Sequence, residues 1–486
     1  MTKASAARRA AYEALMLVRT RAAFVRDVLP RVLARYHLSE SDRAFATRLA
    51  IGCVQTQGTL DEMLDRAMRT PRDAKPRVRD ALRVSTYEML FLDKDHYAAV
   101  DQGVELAGWV APKARGLANA VLRKVARLAE DFPFGDPRSD IAAAARAHGF
   151  PVWLAQRLEM WRGPAQARRF MEVSNEQPPV FASINALRAA ERDVVVALEA
   201  AGIGFARLEG IVLPRAGSED AEEDRRVLVS HPFGERGADF VSTDGDGFVP
   251  TPGCIRLEDA AAVAHPAFTE LIASGAVIVA DAAAQAVAAL AADHAQTSLL
   301  DACAGRGTKA LLIQSDAMRR CGRQVEHLCT LDAVASKQAP LEDHARACGA
   351  HISAVLIGDA TDLSASLGDE LFDTVLVDAP CTGLGTLRRH PEIRWRITPD
   401  ELEAAAELDS RLLESAAAQV APGGTLVYAT CTIAPAENVC AIEQFLASRC
   451  GASYQLQPIA GASLFAPPLT SGGCDAHFCA VMTKRV

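Results

Sequence analysis

"LLDACAGRGTKA", Leu299 to Ala310, changes character twice within twelve residues. Two leucines run into Asp301 as a short buried strand would, Gly305 and Gly307 interrupt, and from Thr308 onward the residues read as a helix. Strand, glycine turn and helix together are the unit from which parallel sheets are built. The neighbouring sequence repeats the unit: the apolar runs "AVIVA", "EHLCTLD", "SAVLIG", "FDTVLVD" and "GTLVYAT" alternate with helical stretches from about residue 275 onward. One of these helices, "TPDELEAAAELDSRLLESAAAQV", carries its own punctuation, with Thr398 as N-cap, Pro399 at the first helical position and Glu401 at the capping-box position. Strands this apolar need cover on both faces. Residues 271–486 are therefore expected to form a mostly parallel, doubly wound, Rossmann-like α/β domain.

Upstream the period is different. Residues 1–130 place apolar residues at three-to-four spacing in seven stretches, from "RRAAYEALMLVRTR" to "ARGLANAVLRKVARL", which predicts an all-α bundle whose last helix is basic on its exposed face. Residues 140–270 are mixed, with two helices, a strand in "PVFASIN", a helix in "AERDVVVALEAAGI" and a strand in "RLEGIVLP". They are expected to form a small α+β connecting domain carrying an acidic, glycine-rich insert at 216–250, a loop with at most a short hairpin.

The net charge of −9 hides an asymmetry: residues 1–130 carry 23 Lys+Arg against 15 Asp+Glu, and the remainder 29 against 46. A basic helical module on an acidic body suits a polyanion-binding appendage, and it equally suits a bundle with an ordinary solvated basic face. The N-terminus "MTKASAARRAAYEA" lacks a signal-peptide core, and runs of about 18 uncharged apolar residues are missing, so a soluble, cytoplasmic protein without a membrane partner is expected. The twelve cysteines are scattered, with none paired two residues apart, and most are expected to be buried reduced thiols. His344 and His390 have no second ligand at useful spacing, so no metal is expected.

In a doubly wound sheet the ligand lies beyond the C-terminal strand ends. Gly305 and Gly307 would let the backbone approach it closely. Asp332 closes the next strand, twenty-five residues after Gly307, where a carboxylate can accept from both hydroxyls of a ribose. Asp359 closes the third, placed to meet an adenine amino group. Each acid alone could be a helix cap; three in succession fit an adenosine-containing cofactor better. The third glycine of a dinucleotide loop is missing and Asp301 precedes the turn, which suits an amino-acid-bearing ligand such as S-adenosylmethionine better than a pyrophosphate.

Two further strands end in thiols, "VLVDAPCTGLG" in Pro380-Cys381 and "LVYATCTIAP" in Thr430-Cys431. "DAPCTGLGTLRRHPEIRW", "YATCTIAPAEN" and "DACAGRGTK" resemble the fourth, sixth and first motifs of the Sun/NOL1/NOP2 family of RNA cytosine-C5 methyltransferases. "IVADAAAQ" resembles the segment just upstream of the first motif, and "GGCDAHFCAVM" the family's C-terminal hairpin. "YAAVDQGVELA" and "KARGLANAVLRKV" resemble the NusB-like RNA-binding domain fused to the branch that acts on bacterial 16S rRNA. The resemblance covers nearly the whole chain apart from the 216–250 insert.

That resemblance implies a class I methyltransferase fold, S-adenosylmethionine as cofactor and 16S rRNA, protein-free or in an early assembly intermediate, as the partner of a monomer. It implies that Cys431 is the nucleophile, that Cys381 aids product release, and that Asp378, with Lys309 beside it, orients the target base. Asp301, Cys303, Ala304, Gly305, Gly307, Lys309, Asp332, Asp359 and Asp378 are the expected cofactor contacts. Carbon 5 of cytosine is too weak a nucleophile to take a methyl group, and a thiolate added at carbon 6 makes it reactive. Arg388 and Arg389 are candidates for RNA phosphates by their chemistry, and Trp395 is expected to pack rather than stack on a base.

Two departures stand out. The first motif usually has Ala-Pro-Gly-Gly before its lysine, where this chain has Gly305-Arg306-Gly307-Thr308, and Ala476-His477-Phe478 replaces the usual Gly-Phe-Phe. The first could alter cofactor affinity and the second local packing. The same chemistry on tRNA or DNA, and a non-catalytic rRNA-binding assembly factor, are the competing expectations.

Overall fold

The computed structural model describes residues 4–71, 74–92, 94–213, 247–460 and 464–486. The chain divides into two compact units, one of residues 1–176 with 387–397 and one of residues 177–386 with 398–486. Among the described residues no helix is long and apolar enough to cross a membrane.

The first unit is helical. Ala6–Arg21, Val25–Leu33, Glu40–Gln55, Gln57–Ala67, Pro76–Phe91, His96–Val110 and Arg115–Leu128 fall where the seven periodic stretches predict them. Their apolar faces meet in one core that includes Leu15, Leu49, Leu60, Leu82, Leu106 and Leu122. Pro76–Phe91 runs through the middle and is buried on its polar side too. Its acids are matched there: Glu88 receives Arg8 at 2.5 Å, and Asp80 receives Arg19 and Arg83 at 2.8 Å each. On Arg115–Leu128, Arg123, Lys124 and Arg127 face solvent, as the charge pattern predicts.

This unit extends past the expected boundary at residue 130 to Glu176. The helix Ile141–His148 is tied to the bundle by Arg146, which pairs with Glu62 at 3.1 Å. The next helix, Val152–Val173, is kinked at Gly163, whose φ of 76° precedes Pro164. Residues 387–397 also belong here. Arg394 is fully buried, donating to Asn175 Oδ1 at 2.9 Å and the Gly149 carbonyl at 3.2 Å while lying over the Phe150 ring. Trp395 packs as expected: its indole N–H donates to the Val54 carbonyl at 2.8 Å, and a Cβ on Gly58 would lie 2.2 Å from its ring.

The second unit holds two sheets. The smaller is antiparallel, in the order β2-β3-β1-β4, from β1 (Phe181–Ile184), β2 (Phe205–Leu213), β3 (Gly247–Leu257) and β4 (Val277–Val279). The expected insert therefore begins beyond a paired strand, and Gly247–Pro250, read as loop, is the start of β3; residues 214–246, with the hairpin considered for them, lie outside the described residues. Asn185, just past β1, donates to the carbonyls of Gly275 and Cys348 at 2.8 Å each, and the small sheet lies with the α/β body in one compact unit.

The larger sheet has the order β10-β11-β9-β8-β5-β6-β7. Its strands are β5 (Ser298–Asp301), β6 (His327–Asp332), β7 (Ala354–Ile357), β8 (Phe372–Asp378), β9 (Val420–Thr430), β10 (Tyr454–Gln457) and β11 (Phe478–Lys484). Five are parallel, and β11 runs antiparallel between β9 and β10. Alternate residues serve opposite faces, as the pleat requires. Leu299, Leu376 and Val427 pack with Ala286 and Leu311 on one side; Leu300, Val375, Leu426 and Tyr428 pack with Leu412 and Ile442 on the other. Strand order reverses at β5, between β6 and β8, so the crevice of a doubly wound sheet opens beside Asp301.

Candidate active site

Around that crevice the tips of β5, β6 and β7 form one edge. Gly305 and Gly307 both have positive φ, 60° and 80°, and only Gly307 is also hemmed in: a Cβ there would sit 2.7 Å from the Leu341 side chain. The Gly305 N–H donates to Asp332 at 2.9 Å, so the glycine turn is pinned to the next strand tip. Asp332 also accepts from the Val334 N–H at 2.8 Å and from Lys337 at 3.0 Å. Asp359 accepts from the backbone N–H and the hydroxyl of Thr361, at 2.9 and 2.8 Å, and these bonds hold its carboxyl below the usual range. It caps the next turn, so the cap and the cofactor contact are compatible tasks of one exposed side chain. Arg306 is exposed.

Asp301 is different. It is fully buried, and neither carboxylate oxygen accepts a hydrogen bond from a side chain among the described residues. Burial, then the charge of Asp378, raise its pKa from its ordinary 3.8 to about 7, with Lys309 opposing. A buried acid short of donors, its burial offset in part by the Cys303 backbone N–H, is costly unless something supplies more. An amino-acid ammonium group has the right charge and three N–H donors, so this strand tip fits an amino-acid-bearing cofactor. Cys303 lies two residues on, and burial pushes its thiol up, which marks it as a wall of the site rather than a nucleophile.

The tips of β8 and β9 form the other edge. Asp378, last in β8, receives Lys309 Nζ at 2.5 Å. Burial alone would lower the lysine; the charge and hydrogen bond of Asp378 more than reverse it, so Lys309 stays protonated. Beyond Asp378 the two thiols meet, with Cys381 Sγ 3.4 Å from Cys431 Sγ and the Cys431 N–H donating to Cys381 Sγ at 3.3 Å. Cys381 is raised well above its ordinary value, first by its hydrogen bond to Cys431 and then by burial, and so holds its proton.

The loops carrying the thiols are held by contacts that the sequence reading did not assign. Gly385 N–H donates to the Cys431 carbonyl at 2.9 Å and leaves no room for a side chain, since a Cβ would lie 1.9 Å from the Ala476 carbonyl. Ala476 and His477, the departure expected to disturb packing, are buried against this loop, and Phe478 pairs in register with Thr430. Glu437 accepts hydrogen bonds from Thr382 and Thr432, and Asn438 bonds Thr430 and Thr432. The one available signal was "PAEN" directly after the Thr-Cys turn, polar residues in an otherwise apolar stretch.

Cys381, Cys431, Asp378, Asp301, Asp332 and Asp359 thus belong to one unit and one row of strand tips, with Lys309 in the first turn of the helix Thr308–Cys321 beside them. Arg388 and Arg389 belong to the helical unit. The Arg388 side chain is fully buried, which corrects its expected contact with an RNA phosphate: a guanidinium shut away from solvent cannot reach one. The carbonyls of both residues accept from Arg26 at 3.1 Å, and Arg389 is half-buried. Among the described residues no three His, Cys, Asp or Glu side chains cluster to hold a metal ion.

Residues 287–464 match the family model for the 16S rRNA methyltransferase RsmB/F, and residues 5–127 match the NusB family. The ribosomal RNA small subunit methyltransferase B of Sodalis glossinidius is 32% identical over 455 residues, spanning 92% of this chain and 91% of the relative. Its counterpart in Salmonella typhi is 28% identical over 92% of this chain and 91% of its own length. The crystal structure of PH0851 superposes over 99% of this chain and all of its own, with a TM-score of 0.73 at 22% identity. A methyltransferase homologue from Pyrococcus horikoshii covers 70% of this chain and 97% of its own, with a TM-score of 0.52 at 19% identity. At these identities the two solved structures speak to the fold alone.

Proposed function

Since the chain belongs to the RsmB/F family of 16S rRNA methyltransferases, whose cofactor is S-adenosylmethionine, we propose that it methylates carbon 5 of a cytosine in small-subunit rRNA through a covalent thiol adduct. The observation that carries this reading is the pair of sulfurs at 3.4 Å beside the Lys309–Asp378 ion pair. When bound, the cofactor supplies an electrophilic methyl group. Asp301 would take its ammonium group, Asp332 its ribose hydroxyls and Asp359 its adenine amino group, along the loop of Cys303, Ala304, Gly305 and Gly307.

The protein's own residues do the rest. Asp378, held by Lys309, accepts from the amino edge of the cytosine and fixes the ring against Cys431. The Cys431 sulfur bonds to carbon 6, and the electron pair released into the ring makes carbon 5 the nucleophile. After methylation the carbon 5 proton passes to water, its bonding pair re-forms the carbon 5–carbon 6 double bond, and the sulfur–carbon 6 pair leaves on sulfur, restoring the aromatic ring and the Cys431 thiolate. Cys381, in contact with that sulfur, assists this release. The exposed Arg123, Lys124 and Arg127 of the NusB-like helices supply phosphate contacts, and their binding energy offsets the few kcal/mol or so needed to unstack the target base.

The test is methyl transfer from labelled S-adenosylmethionine to protein-free 16S rRNA, with 5-methylcytosine as the product. Wild type is expected to make it and Cys431→Ala to make none. Transfer to tRNA but not to rRNA would keep the chemistry and overturn the substrate. An active Cys431→Ala would overturn the nucleophile, and an inactive wild type on every RNA would leave a binding factor. Arg123→Ala with Lys124→Ala and Arg127→Ala should flatten the dependence of RNA affinity on salt by about two to three counterions.

A further inference from the structure

Behind the two sulfurs lies a carboxylate to which the chemistry above gives no task. Glu437, in "APAEN" after the Thr-Cys turn, is fully buried. Its oxygens accept from the Thr382 N–H at 2.7 Å, the Thr382 hydroxyl at 2.5 Å and the Thr432 hydroxyl at 3.3 Å. Thr382 follows Cys381, Thr432 follows Cys431, and the two hydroxyls are themselves 2.7 Å apart. One carboxylate therefore grips the residue next to each thiol, across 55 positions of chain in one case and five in the other.

Both thiols lie where the sheet no longer sets their spacing. The last ladder pair of β8 and β9 is Asp378 with Ala429, and the last rung is the Ala379 N–H on the Ala429 carbonyl at 2.8 Å. Beyond it, Asn438 braces the Thr430–Thr432 turn from its own side only, through Thr430 Oγ1 at 2.6 Å and the Thr432 carbonyl at 2.9 Å. Glu437 bonds to both loops at once, beside the direct Thr382–Thr432 hydroxyl contact and the Cys431 N–H on the Cys381 sulfur. Burying an acid is expensive, and here three donors offset the cost. We propose that Glu437 is a positioning residue that staples the Cys381 loop to the Cys431 turn and so holds the two sulfurs in contact. Its bonds go to the threonines, so it acts on the reaction through them and not as a base.

This inference rests on the reading that both thiols act, and its test begins without RNA or cofactor. Phenylarsine oxide binds tightly only where two thiols can reach one arsenic atom. Wild type should bind it, and Cys381→Ala should not. Glu437→Ala should retain cooperative unfolding and react with iodoacetamide at both thiols, yet bind the arsenical at least about tenfold more weakly. Its kcat should fall about 10- to 100-fold with KM for rRNA within about threefold, the scale of an ångström-sized misplacement. Glu437→Gln should recover most of both, because an amide oxygen can accept from the Thr382 N–H while the two hydroxyls rotate to take its NH2. Unchanged arsenical affinity in Glu437→Ala would overturn the staple, and so would a Gln variant as weak as the Ala variant, which would assign the effect to charge. If Glu437→Ala does not fold, Thr432→Val removes the bond from Glu437 to the Cys431 turn and should still weaken the arsenical; full affinity there would overturn the proposal. Loss of activity with intact wild-type arsenical binding on a non-methylating enzyme would instead sink the functional reading and leave the staple standing.

Discussion

The two edges of the same row of strand tips are built in different ways. On the β5–β7 edge the acids are mostly held by what is near them in sequence: Asp359 by Thr361, Asp332 by Val334 and Lys337. The β8–β9 edge is held by distant partners: Thr382 by Glu437, Gly385 by Cys431, Lys309 by Asp378. Locally capped tips can give and re-form around an incoming ligand at small cost. The edge that carries the two thiols, 3.4 Å apart, is cross-braced instead and has no such freedom.

Substitutions should therefore hurt the second edge more than the first. The largest effect is expected of Gly385→Ala, whose Cβ would lie 1.9 Å from one carbonyl and 2.8 Å from another. Backbone cannot yield there without parting the loops, and a stability loss of about 3 kcal/mol with a fall in kcat of about 100-fold or more is expected. Thermal unfolding and single-turnover methylation check both. An unimpaired Gly385→Ala would break the comparison outright.

Asp301 stands between the edges, and pH reads it. Its pKa is raised from 3.8 to about 7, so its contribution to stability is complete below about pH 4 and is lost as pH rises toward 7. A rise of that size corresponds to something on the order of 4 kcal/mol. Asp409, raised to about 8 by burial and then by Glu437, adds a loss of the same sign. Urea midpoints for the cofactor-free protein should fall between pH 5 and pH 8, and Asp301→Asn should flatten that fall while weakening cofactor binding about tenfold or more. Saturating cofactor should flatten the fall in wild type too. A pH-independent wild-type midpoint would show that Asp301 already has a partner.

The smallest effect is expected of Asp359→Ala. The residue is exposed and its bonds to Thr361 are local, so cofactor affinity should drop about fivefold, as for one lost hydrogen bond, with kcat unchanged. Equilibrium titration of the cofactor measures it. A loss as large as that of Gly385→Ala would mean that the first edge is not locally built.

The same contrast explains what was legible in the sequence. Seven helices and the five parallel strands of the large sheet follow from periodicity, and the three strand-end acids follow from their spacing, because each depends on neighbours within a few residues. β10 carried no such signal, and "AVIVA", expected in the parallel sheet, pairs instead with β1 in the small antiparallel one. Glu437 left only the faint signal of its polar neighbours for the opposite reason: its partner Thr382 is 55 positions away, and the adjacency of β8 and β9 brings them together. Arg388 misled because a basic pair after a catalytic loop has the composition of a phosphate site, whereas the chain at 387–397 belongs to the helical unit and buries the first of the two. The NusB match over residues 5–127 agrees with the module boundary expected at residue 130, while the compact helical unit runs further because the Arg146–Glu62 pair keeps the next helix on the bundle.

The central claim is that Cys431 attacks and Cys381 releases. Cys381→Ala incubated with S-adenosylmethionine and 16S rRNA, then denatured and digested, tests it by mass spectrometry of any peptide still carrying a nucleotide. The account predicts a stable adduct on Cys431 that wild type does not accumulate. A Cys381→Ala enzyme that turns over normally without an adduct, or an adduct on any residue other than Cys431, would contradict it.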